Sequence, residues 1–293
     1  MAMKKVVFGG LAAVMVLAGC GKLGGFLGPI KDEKKTMDLK AKVRDFKEGN
    51  ATSSDGTHPM FNQGVASCEA HELGVNTVQE DLAESGGKDP SFPGDERTPV
   101  LASLDGMPVT ISRCFQPPDR FPDWFEDLGS DVNRPFYYTM RFQQDENTGY
   151  YQFRDERFFP LDPGEGAKKT SGDGPESFGN LQTGEKDGVD LTTHVYGFTL
   201  EFHALFTYEK GKGQFLSVRG DDDLWAFVNG KRVIDLGGAH AAESDSVNLD
   251  NLASQLGLSD KEQYNLDFFF AERAVASSKL DILTNLRFSS LKP

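Results

Sequence analysis

Arg219-Gly220-Asp221-Asp222-Asp223-Leu224-Trp225-Ala226-Phe227-Val228-Asn229-Gly230 is the stretch from which the rest of the chain is read. Leu224 to Val228 is an apolar run of strand length. Asn229-Gly230 is a pair suited to a two-residue turn that needs positive φ at both positions. With Arg232 to Leu236 following, the stretch predicts a β-hairpin. Three consecutive carboxylates stand at its entrance. Like charges side by side repel unless solvent, basic partners or a cation absorb them. Oxygen ligands at this density suit a hard cation, and Ca2+ accepts about six to eight of them. A calcium-organised loop at Asp221, Asp222 and Asp223 is therefore the first expectation. A solvated acidic turn is the other reading.

Outward from the hairpin, strand patterns dominate. Phe198, Leu200, Phe202, Ala204 and Phe206 share one face of a strand, while Glu201 and His203 lie on the other, which reads as its solvated side. Phe136–Phe142 and Tyr150–Phe153 predict a hairpin, and Tyr264–Ala271 and Leu280–Phe288 two further strands. Helices are few: Phe121–Leu128, with Pro122 in its first turn, and Leu249–Leu256, capped by Asn248 or Asp250 and ended by Gly257. Asp162–Asp190 and Glu84–Thr98 read as long surface loops. The 23 Phe residues are enough to fill a large core. The fold class expected is all-β: an antiparallel β-sandwich with a few short helices and long surface loops.

The chain start bears on location. Lys4 and Lys5 precede an apolar run to Gly19, which is short for a membrane span and suits a signal peptide over residues 1–19. Leu17-Ala18-Gly19-Cys20 resembles the lipobox of bacterial lipoproteins, which implies cleavage before Cys20 and acylation of its sulfur. Two or three chains would hold the protein stably on a membrane. Residues 20–42, with Gly21, Gly24, Gly25 and Gly28, would then be a flexible tether, and residues 43–293 the folded domain. The location expected is the bacterial cell envelope, with Gly21 favouring the outer membrane in a Gram-negative cell.

A formal net charge of −14 and the lack of a basic stripe argue against nucleic acid as a partner. Cys68 and Cys114 are the cysteines left after Cys20, and in an oxidising compartment they are expected to form one disulfide. Neither has a Cys-x-x-Cys partner, which disfavours zinc.

The chain resembles the fibro-slime domain, within the wider superfamily of protective-antigen-type (PA14) sugar-binding β-sandwiches. The residues that carry the resemblance run in order. They are Arg44-Asp45-Phe46, His58-Pro59-Met60-Phe61, Asp105-Gly106-Met107-Pro108-Val109, Phe121 to Phe125, Phe158-Phe159-Pro160-Leu161-Asp162, Phe198-Thr199-Leu200-Glu201, Gly220 to Lys231, Asp235 to His240 and Phe270-Ala271-Glu272-Arg273. The pattern departs at Ala274, where the family usually has histidine. The resemblance implies that Asp221 and Asp222 hold Ca2+, with Asp223 a neighbouring ligand, and that the ion grips vicinal sugar hydroxyls. Asp235 and His240 are expected to line the same end of the sandwich, and Trp225 to offer a face for stacking on a sugar ring. Glu272-Arg273 reads as a buried ion pair or a strand-end cap.

The expected function is a surface-anchored, non-catalytic, calcium-dependent carbohydrate-binding or adhesion module with a glycan or polysaccharide ligand. The alternative is a structural envelope or matrix protein in which calcium only stabilises a loop. No Gly-x-Ser-x-Gly elbow, His-Glu-x-x-His pair or P-loop assigns a catalytic residue. The oligomeric state has no signature in the sequence.

Overall fold

Alternating inward apolar residues build strands along most of the chain. The computed structural model describes residues 35–47, 58–61, 67–85, 89, 91–171, 174–179, 185–186, 189–190, 194–273 and 277–291. In chain order the strands are β1 (Thr36–Phe46), β2 (Ala83–Glu84), β3 (Arg97–Thr98), β4 (Asn133–Gln144), β5 (Tyr151–Asp155), β6 (Lys168–Lys169), β7 (Glu185–Lys186) and β8 (Val189–Asp190). They continue as β9 (Phe198–Thr207), β10 (Phe215–Asp221), β11 (Asp223–Val228), β12 (Lys231–Leu236), β13 (Glu243–Asn248), β14 (Gln263–Glu272), β15 (Lys279–Thr284) and β16 (Ser289–Ser290).

The main sheet has the order β12-β11-β14-β9-β1-β4-β5-β15-β10-β13, and its neighbours pair antiparallel. Inward residues from all ten strands, among them Val43, Met140, Phe153, Phe202, Val218, Leu224, Ile234, Val247, Phe270 and Ile282, meet in one core. The sheet therefore curls on itself into a sandwich, bringing its end strands β12 and β13 together. Phe158 packs edge-on against Phe153 on one side and Phe198 and Phe270 on the other, at 5.7, 5.9 and 5.8 Å between ring centroids.

A second core lies on the outer face of β11 and β14. Trp225, Phe227, Phe269 and Ala271 pack there against Phe46, Phe61, Phe115, Phe121, Trp124 and Phe125. Each ring removes roughly 150–250 Å2 from water, a gross gain on the order of 4–6 kcal/mol. Cys68 and Cys114 are disulfide-bonded within this layer, with a Cα–Cα separation of 6.4 Å.

Several expectations need correction. The strand expected over Leu280–Phe288 stops at Thr284, whose hydroxyl donates to the Phe215 carbonyl while Asn285 Oδ1 accepts from Phe215 N at 2.9 Å. These side chains fasten the start of β10 instead of continuing the ladder. The helix expected over Phe121–Leu128 is a single 3-10 turn, Pro122–Phe125, which follows another at Pro118–Arg120. The second helix is one turn, Leu249–Leu252, with the Asn248 side chain accepting from Asp250 N at 2.9 Å. Strand β1 begins at Thr36, inside the segment expected to be tether, because Leu39, Ala41 and Val43 alternate into the core. Glu201 and His203 are buried, since residues 91–97 cover that face: the Phe92 ring packs edge-on against His203 at 5.6 Å between centroids, and a Cβ on Gly94 would lie 2.3 Å from His203 Cγ. The expected signal peptide and Cys20 lie outside the described residues. Among those described, no helix is long and apolar enough to cross a membrane.

Candidate functional site

The three aspartates occupy the crossover between the two layers. Asp221 ends β10, which pairs with β13 and β15; Asp223 opens β11, which pairs with β12 and β14. One residue, Asp222, makes the passage. The corner is tight: a Cβ on Gly220 would lie 2.8 Å from Leu224 Cδ1.

Each carboxylate meets different partners. Asp221 Oδ2 accepts from the Ser277 hydroxyl at 2.6 Å. Asp222 accepts from two backbone groups, His240 N at 3.2 Å and Arg273 N at 2.7 Å. Asp223 accepts from Gly238 N at 2.6 Å and forms a buried ion pair with Arg273 Nε, also at 2.6 Å. The Arg273 guanidinium then donates to the Cys114 carbonyl at 2.8 Å and lies over the Trp124 ring at 4.7 Å. The sequence did not resolve this role: Arg273 pairs across the corner with Asp223 rather than with adjacent Glu272.

Glu272 is fully buried, and neither of its carboxyl oxygens makes an aligned hydrogen bond among the described residues, although Ser278 and Asp222 are its neighbours. Burial, and then the charges of Asp222 and Asp221, push its acidity well above the usual carboxylate range. Asp222 is pushed up to about 6, by burial first; Arg273 opposes the shift, and Asp223 and Asp221 reinforce it. Asp221 is raised by burial against the Ser277 hydrogen bond. Buried carboxyls raised in this way share a region short of positive charge.

His240 is buried, and its Nδ1 and Nε2 face the carbonyls of Ala241 and Leu236 at 2.9 and 3.0 Å. Only an imidazolium donates at both nitrogens. Burial disfavours that form, but the two carbonyls outweigh it and raise the histidine's pKa. The corner thus sets the carboxyls of Asp221, Asp222, Asp223 and Glu272 against Arg273 and His240.

Two expected ligand contacts are corrected. Trp225 does point to the face opposite Leu224 and Ala226, but the aromatic layer covers that face and leaves it 0% exposed. Its Nε1 donates to Thr77 Oγ1 at 2.9 Å and Asp235 Oδ1 at 3.0 Å, so it offers no open ring for stacking. Asp235 accepts from Thr77 N at 2.8 Å, Thr77 Oγ1 at 2.6 Å and Val78 N at 3.2 Å, locking that segment to the hairpin. Trp225 is fully buried and the Asp235 carboxylate is spent on these donors, so neither is placed as a ligand contact. His240 has both ring nitrogens engaged by main chain, the arrangement that competes with ligand contact.

For calcium, the test is whether these side chains leave ligand capacity. Asp223 leaves little, because both oxygens serve Gly238 and Arg273. Asp221 Oδ1 remains, and Glu272, held well above the usual carboxylate range by burial and by the charges of Asp222 and Asp221, would give up its proton only to a compensating positive charge. Among the described residues no three Asp, Glu, His or Cys side chains converge as a metal cluster. An ion bound here would complete its shell with main-chain carbonyls, water or ligand hydroxyls. Asp221 and Asp222 are the carboxyls that would meet it.

A second charged network covers the outer face of β1, β9 and β14. Arg44 bonds Glu201 at 2.7 Å and Asp127 at 2.8 Å, while Lys42 reaches Asp95 at 3.1 Å. His203 Nδ1 lies 2.8 Å from Asp267, which also accepts from Arg97 at 2.6 Å. Burial opposes the charged form of His203, but Asp267 and Glu201 outweigh it and raise its pKa to about 9. Each group has a charged partner, and the network fastens residues 89–97 to the sheet.

The sequence profile of the PA14 domain matches residues 180–291. The chain is 32% identical over 197 residues to Protein psiQ and 31% identical over 200 residues to Protein psiC, both from Dictyostelium discoideum. These alignments take in 67% and 68% of this chain but 18% and 35% of the relatives, so the chain spans about a third of their length or less. The PA14 sugar-binding domain from an RTX adhesin aligns with a TM-score of 0.28 and 10% identity, over 48% of this chain and 75% of that one. The profile match supports the PA14 part of the expected resemblance rather than its fibro-slime part. They also correct the expected location: relatives in a eukaryote point to a eukaryotic protein rather than to a bacterial cell-envelope lipoprotein.

Proposed function

We propose that this chain is a non-catalytic, calcium-dependent carbohydrate-binding or adhesion module whose ion is held at Asp221 and Asp222. The observation that carries the reading is the meeting of Asp221, Asp222 and Glu272 at one corner, buried carboxyls all held above the usual carboxylate range. A divalent cation there would balance the acids that Arg273 and His240 leave over. The match of residues 180–291 to the PA14 domain supports a carbohydrate-binding or adhesion role. Asp221 and Asp222 would orient the ion; Asp223 and Arg273 would hold the corner in shape. The ion itself would supply coordination positions that vicinal hydroxyls can enter in place of water.

A glycan array probed with calcium and again with a chelator tests the reading. Binding should appear with calcium, vanish on chelation, and vanish in the Asp221→Asn/Asp222→Asn variant. Calcium-independent binding, or binding retained by that variant, would overturn it.

The deep burial of the corner favours a second reading, in which calcium only stabilises the crossover of a structural or matrix protein. That role would give calcium-dependent melting with no glycan bound on the array.

A further inference from the structure

Two walls grip the crossover, and one covalent bond joins them. Asp222 and Asp223 each take one donor from the loop after β12 and another from Arg273, just past β14. The Asp222 oxygens accept from His240 N at 3.2 Å and Arg273 N at 2.7 Å. Those of Asp223 accept from Gly238 N and Arg273 Nε, both at 2.6 Å. Cys68 lies against the first wall. Its N donates to the Ala239 carbonyl at 2.7 Å, Ala239 N donates to its sulfur at 3.2 Å, and a Cβ on Gly238 would lie 2.3 Å from its carbonyl oxygen. Cys114 meets the second wall, where its carbonyl accepts from Arg273 Nη1 at 2.8 Å.

The Cys68–Cys114 bond therefore closes a ring that runs through both walls and both carboxylates. Neither cysteine belongs to a strand of the main sheet: Cys114 sits in the 3-10 turn Arg113–Phe115, and Cys68 in irregular chain. The bridge, rather than a backbone ladder, thus ties one wall to the other. Both cysteines are buried, so a reductant reaches the sulfurs only through a local opening that parts the walls. The same opening takes from Asp222 one of the two donors that orient it.

We infer that the disulfide and the ion are coupled: the bridged form holds Asp222 in place for calcium, and the dithiol form, with the sandwich still folded, releases it. The inference rests on the reading that the ion is held at Asp221 and Asp222. A small dithiol is the reductant. Its thiolate attacks one cysteine sulfur, the S–S bond breaks, and a second attack closes the reductant's own disulfide, so that two electrons and two protons pass to Cys68 and Cys114. Coupling between two sites is reciprocal. Calcium must therefore resist reduction by the same factor as reduction weakens calcium.

Two measurements on the full chain test it. Calcium is titrated calorimetrically into metal-stripped oxidised protein and into Cys68→Ala/Cys114→Ala, and thiol trapping follows the bridge in mixtures of reduced and oxidised dithiothreitol. The variant should bind calcium about tenfold more weakly. In the wild type, saturating calcium should raise by that same factor the ratio of reduced to oxidised dithiothreitol at half-reduction, a result that does not depend on the variant. Equal calcium affinity with and without the bridge, a half-reduction ratio that calcium does not move, or loss of the β-sheet circular dichroism on reduction would overturn the inference and leave the ion reading standing. No calcium heat in the oxidised wild type would overturn both.

Discussion

Asp222 and Asp223 are adjacent residues of the same chemistry whose prospects differ because different groups meet them. Asp223 is committed to Arg273, and Asp223→Asn would strand a buried guanidinium. Losing one partner of such a pair costs about 3–5 kcal/mol, so the variant should unfold at markedly lower urea while retaining a calcium response. Asp222 carries the opposite sign. Its folded pKa of about 6 stands above the unfolded carboxylate value, so its stability contribution is fully present below the unfolded pKa and is lost as pH rises through 6. Metal-free protein should therefore melt higher at pH 5 than at pH 7 from this group, and saturating calcium should narrow the difference. The profile of Asp222→Asn should be shallower by this group's share, Asp221 and Glu272, which are raised as well, keeping the rest. His203 acts in a higher window: raised to about 9, it stabilises below about pH 6.5 and the contribution fades as pH passes 9. Melting curves of His203→Gln should lack that alkaline loss.

The β11–β12 hairpin was legible because its signals are local. Asn229 and Gly230 both take positive φ, 53° and 76°, and Leu224, Ala226 and Val228 alternate inward. The crossover was legible only as acid. That Asp223 belongs to Arg273, and that Glu272 has no aligned hydrogen bond, depends on β11 and β14 lying side by side, a pairing of residues some fifty positions apart. Trp225 shows the same limit: parity gave its face, but the cover on that face comes from residues 46–125, far away in sequence. One glycine fixes this element as firmly as the turn does. Gly238 has φ +127° with its missing Cβ position 2.3 Å from the Cys68 carbonyl, and its N–H holds Asp223. Gly238→Ala should cost roughly 3 kcal/mol, combining strain and overpacking; chemical denaturation measures it, and a loss under about 1 kcal/mol would mean that the loop yields.

At the scale of the whole molecule, one curled sheet carries cores on both faces, and the outer core supports the crossover through Trp124 beneath Arg273. The disulfide closes that outer layer across a separation of 46 residues. Chain entropy for such a loop gives about 4 kcal/mol, so Cys68→Ser/Cys114→Ser should lower the denaturation midpoint by a corresponding amount. The loss should be larger than any change at the distant β4–β5 hairpin. Everything functional rests on whether the crossover between the layers takes up a divalent ion. Calorimetric titration of calcium into metal-stripped protein near neutral pH addresses that directly. A saturable single-site heat in the wild type, absent in Asp221→Asn/Asp222→Asn and kept in Asp223→Asn, is the expected result; no heat in the wild type, or an equal heat in the double variant, would contradict it.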